Sequence, residues 1–215
     1  MKKLIGILVS ACRRLLTFKK AVKITKNAMG IDSDYAHALF QEGNSFYKFN
    51  MFKASVKSYK RAVRIDPDNS EAYYKLGNAY RKLKMFKEAV KAYEQALRID
   101  TCHIKAYFNL GKTYSNLGMF KEAITATKRI IKVNPSSPEA YINLGIYYSK
   151  LSKYKEAEEY LQQAVTMDPA NKDAHFNLAV VYMEKQDMMS AIKEYKVLKT
   201  LAPLAANKLC KSLNI

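Results

Sequence analysis

The 215-residue chain has no tryptophan and only three cysteines, three histidines, five prolines and seven glycines. The cysteines, at 12, 102 and 210, form no CxxC pair and no even set, which argues against a disulfide framework and a zinc ribbon and favours a reducing compartment. His37, His103 and His175 are never paired as HxxxH, and no glycine-rich phosphate loop is present. No metal site and no cofactor is expected. No stretch reaches the ~20 apolar residues that cross a bilayer. The one thiol–imidazole neighbour pair, Cys102-His103, falls in a turn where adjacent side chains diverge, and Glu156, Glu158 and Glu159 read as a solvated helix face. The expectation is a binding protein rather than an enzyme.

Apolar residues make up 49% of the chain and charged residues 26%, so it has the makings of a folded core. The scarce glycines and prolines are placed periodically. Gly43, Gly77, Gly111 and Gly145 are 34 residues apart, as are Pro135, Pro169 and Pro203, with Pro67 two periods before Pro135 and Thr101 in the gap. Five units follow, 36–69, 70–103, 104–137, 138–171 and 172–205. Within each, apolar residues recur at helical spacing in two stripes; in the second unit these are Tyr73, Leu76, Gly77 and Tyr80, then Ala89, Tyr93, Ala96 and Leu97. Proline lacks an amide hydrogen and disfavours helix before it, so Asp66-Pro67, Asn134-Pro135 and Asp168-Pro169 should each end a helix. Each unit therefore reads as helix–turn–helix. Such hairpins bury their apolar faces only by stacking on neighbours.

Residues such as Ala72-Tyr73, Leu76-Gly77, Tyr80, Ala89, Tyr93 and Ala96, with proline at the thirty-second place of most units, resemble the tetratricopeptide repeat across 36–205. Ser55, Thr127, Ala179 and Thr101 depart from the pattern without weakening a boundary. The resemblance implies an all-α fold, a right-handed superhelical solenoid whose concave groove is lined by the first helix of every unit. It also implies that the second, fifth, sixth, ninth, twelfth and thirteenth places face that groove. The sixth place reads Gln41, Lys75, Asn109, Asn143 and Asn177, similar to the asparagine ladder with which O-linked N-acetylglucosamine transferases hold an extended peptide. Asn can both donate to and accept from a peptide amide, although asparagine before Leu-Gly can equally be solvated. Asn44, Asn78 and Lys112 at the ninth place, Lys105 at the second, and Tyr74 and Phe108 at the fifth extend the candidate groove, unless the aromatics are taken up between helices. The chaperone carboxylate clamp is matched only by Asn44 and Lys105.

The ends read differently. Residues 206–215 suit a capping segment over the last repeat. Residues 1–35 are basic and leave three readings open. Leu4–Ala11 followed by Cys12 resembles a lipoprotein signal that would acylate Cys12, opposed by Arg13-Arg14 directly after it. The other two are a basic amphipathic helix packed on the array and the same helix lying on an anionic membrane surface.

The net charge of +18 is concentrated in residues 1–137, which hold +17 of it, and Lys53, Lys87, Lys121 and Lys155 place part of it away from the groove. The leading expectation is a cytoplasmic, non-catalytic scaffold that binds an extended acidic peptide of a partner protein. The alternatives are a binder of anionic surfaces, membrane or nucleic acid, working through residues 2–26 and peripheral in the membrane case, and an exported lipoprotein assembly factor anchored at Cys12. Nucleic acid is the weaker of those two surfaces, since no reading motif is present. Self-association stays open, because exposed array ends can stack.

Overall fold

The computed structural model describes residues 30–204 and 206–207, and all ten of the long elements among them are α-helices. They are α1 (Ile31–Lys48), α2 (Phe52–Ile65), α3 (Ser70–Lys82), α4 (Phe86–Ile99), α5 (Ile104–Asn116), α6 (Phe120–Val133), α7 (Pro138–Lys150), α8 (Tyr154–Met167), α9 (Lys172–Glu184) and α10 (Met188–Leu201). Two helices fall in each 34-residue unit. Helices α2, α6 and α8 end just before the Asp-Pro or Asn-Pro pairs that the sequence marks as breaks. Helix α1 starts five residues ahead of the first unit, after Gly30 in the left-handed region at φ 69°. Cys12 and the rest of residues 1–29 lie outside the described residues, as do 208–215.

The chain forms two compact units, one ending at Leu83 and the other beginning at Lys84. In the first, α2 packs on both α1 and α3, with Leu39, Tyr59, Ala62, Ala72 and Leu76 buried. A Cβ on Gly43 would lie 2.6 Å from the Tyr59 ring, so glycine at the eighth place lets α1 and α2 approach closely. Ser55, a departure from the usual alanine, is buried and donates to the Gly43 carbonyl at 2.9 Å. The odd residue gains a hydrogen bond and costs no packing.

In the second unit the main contacts join consecutive helices, from the α4–α5 pair through the α9–α10 pair, except that α7 also meets α9. Its core gathers Leu161, Ala164, Leu178, Val181, Ala191 and Leu198, joined by Ala206 from the expected capping segment. A fully buried Leu such as Leu161 contributes about 1.5–3 kcal/mol. The Leu161 side chain would lie 2.4 Å from a Cβ on Gly145, repeating the Gly43–Tyr59 approach.

The turn between the two helices of every repeat has one left-handed residue: Asn50, Lys84, Gly118, Ser152 and Gln186, at φ 59°, 59°, 73°, 57° and 61°. The first helices are capped individually. Asn69 accepts from the Ala72 amide and Asn171 from those of Asp173 and Ala174. Pro138 opens α7. His103 Nδ1 accepts from the Ala106 amide at 3.3 Å, so the imidazole of the Cys102-His103 pair caps α5.

Candidate functional site

In the first unit, α1 and α3 carry Asn44, Tyr74, Lys75 and Asn78. Asn44 Oδ1 accepts the Tyr59 hydroxyl at 2.7 Å and its Nδ2 donates to Gln41 Oε1 at 3.3 Å, so the amide is committed to the fold. The bond serves a fully buried ring, whose phenol desolvation pushes up to about 12. Lys75 Nζ lies 3.4 Å from Glu71 and 5.8 Å over the Tyr74 ring. Tyr74 and Asn78 are half-buried.

The second unit carries the rest on the first helices of its repeats. Lys105, Phe108, Asn109 and Lys112 stand on α5, with Phe108 half-buried beneath Lys112 Nζ at 6.0 Å. Lys105 and Lys112 are exposed and form no ion pair among the described residues. Asn109, Asn143 and Asn177 occupy the same place on α5, α7 and α9, all half-buried. The three amides are not equivalent. Asn177 Nδ2 donates to its own helix at the Asp173 carbonyl, 2.7 Å away, which leaves its oxygen as an acceptor. Asn143 has no hydrogen-bond partner among the described residues, so both its amide hydrogens and its carbonyl are on offer.

Beside Asn177 lies a pocket of about 70 Å³ between α7 and α9, floored by Gly145, Leu161 and Val181 and edged by Ser149 and Lys150. The sequence pattern singled out neither Ser149 nor Lys150, although they fill the twelfth and thirteenth groove places of their repeat. Reading those places out would have found them. Of the fifth-place residues, Phe108 and Phe176 stay half-buried while Ile142 is buried. Charge on this face also varies: Lys105 and Lys112 belong to α5, whereas Asp173 and Glu184 belong to α9.

No group of three or more metal-ligating side chains occurs among the described residues. Nor is any helix among them long and apolar enough to cross a membrane.

Family profiles for the TPR repeat match residues 43–84, and two tetratricopeptide repeat profiles match 70–100 with 104–137 and 142–206. No curated protein matches the sequence. Among solved structures, the fold is similar to MamA from Desulfovibrio magneticus RS-1, residues 41 to the end, at 21% identity and TM-score 0.74, covering 78% of this chain and 95% of that one. It is similar also to YrrB, described as a TPR protein with an unusual peptide-binding site, at 24% identity and TM-score 0.72, covering 86% and 97%. Pseudomonas aeruginosa PilF matches at 17% identity and TM-score 0.67, covering 85% and 86%. Ten helices paired in a 34-residue period among the described residues, glycines at the helix approach and profiles spanning most of residues 43–206 agree: the chain belongs to the tetratricopeptide repeat family.

Proposed function

We propose that this chain is a non-catalytic scaffold that holds an extended peptide of a partner protein along the first helices of repeats three to five. The observation that carries the reading is Asn143. Its half-buried amide makes no hydrogen bond within the described fold, so both donor and acceptor can turn to a ligand without breaking a bond of the fold. A peptide backbone running past α5, α7 and α9 presents the matching donor and acceptor, with the Asn177 oxygen as the next contact. The peptide-binding site of YrrB supports the same use of a similar fold.

The acidic residues of the peptide belong over α5, where Lys105 and Lys112 are unpaired cations. Toward α9 the lining acquires Asp173 and Glu184, so the preference for acid is confined to one end of the peptide.

A random-peptide display library panned against the full chain tests this. Selected sequences should be enriched in Asp and Glu at one end. Combining Asn143→Ala and Asn177→Ala should weaken the best peptide about tenfold, with helicity by circular dichroism unchanged. Affinity equal to that of the parent chain would sink the backbone-holding role of the asparagines.

A further inference from the structure

One of the differences between repeats three and four coincides with a pocket. In repeat four the Tyr160 ring of α8 sits between two tyrosines of α7. It stacks on Tyr148 at 5.3 Å with the planes 9° apart, and lies 6.1 Å from Tyr141. The counterparts 34 residues earlier are Tyr107 and Tyr114 on α5, but the counterpart of Tyr160 is Ala126. A pocket of about 380 Å³ lies there, lined by Tyr107, Leu110 and Tyr114 from α5 and by Lys121, Ala126 and Arg129 among others from α6.

The two tyrosines are seven residues apart, about 10.5 Å along the helix axis. That separation accepts one more ring at ordinary stacking distance from each, as Tyr160 shows in the neighbouring repeat. Lys121 and Arg129 line the pocket from α6, are both exposed, and make no ion pair among the described residues. Glu122 contributes the one carboxylate of the lining, and Glu94 is already taken up by the Tyr114 hydroxyl at 2.7 Å, which leaves Lys121 and Arg129 as the cations without a partner among the described residues. By helical periodicity Tyr107, Leu110 and Tyr114 face away from Lys105, Asn109 and Lys112. The pocket is therefore separate from the peptide face on the other side of α5.

We infer that this pocket is a second binding site, which takes an aromatic side chain flanked by acidic residues from a partner protein, the inserted ring standing where Tyr160 stands in repeat four. Ring stacking against Tyr107 and Tyr114 selects the aromatic group, and Lys121 with Arg129 selects acidic neighbours.

The test titrates the isotopically labelled full chain with N-acetyl-Asp-Tyr-Glu-amide and with its Asp-Ala-Glu counterpart, following backbone amide shifts. The tyrosine peptide should shift the amides of Tyr107, Tyr114 and Ala126, and the alanine peptide should bind at least about tenfold more weakly. Ala126→Tyr fills the pocket with the chain's own ring and should abolish these shifts. Equal response to the two peptides, or binding retained by a folded Ala126→Tyr chain, overturns the site. Should that variant fail to fold, Lys121→Glu combined with Arg129→Glu alters only exposed positions; undiminished affinity for the tyrosine peptide would then overturn it.

Discussion

The Tyr114 hydroxyl donates to Glu94 Oε1 at 2.7 Å, joining the eleventh place of one repeat to the twenty-fifth place of the repeat before it. The same two places meet again along the second unit. Lys128 Nζ lies 5.6 Å over the Tyr148 ring, and its bond to the Tyr148 hydroxyl holds the ammonium above its ordinary pKa. Gln162 Nε2 donates to the Tyr182 hydroxyl at 3.0 Å. Three partners of different chemistry, an acid, a base and an amide, serve one joint.

Removing the hydroxyl at the charged joint should cost the most. Tyr114→Phe is expected to lower unfolding free energy by about 1 kcal/mol and Tyr182→Phe by about half that, in urea denaturation. Burial first, and the Glu94 carboxylate second, raise the Tyr114 phenol pKa in the folded state. Its contribution is thus fully present below the unfolded value of about 10 and is lost as pH rises through the folded value. The gap between parent and Tyr114→Phe should accordingly narrow above about pH 10. A gap that stays constant there would contradict the assignment.

Two glycines should resist alanine for unrelated reasons. Gly118 has open space around an added Cβ but sits at φ 73°, so Gly118→Ala should cost about 1 kcal/mol in backbone strain alone. Gly145 is helical, and its added methyl would press on buried Leu161; about 1–3 kcal/mol is expected. Combining Gly145→Ala with Leu161→Ala should cost less than the two losses added together, whereas Gly118→Ala should be additive with Leu161→Ala. Thermal unfolding of the set decides both.

The cap of α10 should titrate. Hydrogen bonds from Ser190 hold the Asp187 carboxyl below its ordinary pKa. A depressed folded value means stability that is present above the unfolded pKa of about 4 and lost as pH falls through the folded one. Asp187→Ala should lower Tm at neutral pH, and the deficit should shrink as pH falls below the unfolded value of about 4.

Repeat five replaces the fourth-place tyrosine with His175, buried against Glu194. Its Nδ1 is 2.6 Å from Glu194 Oε2 and its Nε2 is 2.9 Å from the Pro169 carbonyl. A neutral imidazole carries one N–H, so satisfying both contacts requires the pair to share two protons. Glu194→Ala removes one partner and should cost about 2–3 kcal/mol; a double-mutant cycle with His175→Phe should give a coupling near 1 kcal/mol. A coupling of zero would show the contact to be incidental.

The repeat boundaries were legible in the sequence because glycine and proline do rare jobs at fixed places. Gly43 and Gly145 meet large side chains where only hydrogen fits, and the Asp-Pro and Asn-Pro pairs stop helices. The left-handed turn residues were not legible, since four of the five are Asn, Lys, Ser and Gln rather than glycine. The joints between repeats escaped for a related reason: Glu94, Lys128 and Gln162 share a position but no residue type. At the candidate site the sequence located the asparagines by periodicity. It could not distinguish Asn44, bound to Tyr59, from Asn143, which is unpaired, because hydrogen-bond partners 15 residues away leave no mark on a local pattern.

In the second unit nearly every principal contact joins helices adjacent in the chain. Cohesion there is passed hand to hand, with no central element on which all others depend. A lesion at one hairpin weakens its two neighbours and leaves the remainder folded. Amide exchange should therefore report a graded profile, slowest near α7 and α8 and fastest toward α10, in place of one global opening. Such an array can loosen at α9 and α10 while the repeats behind them stay folded.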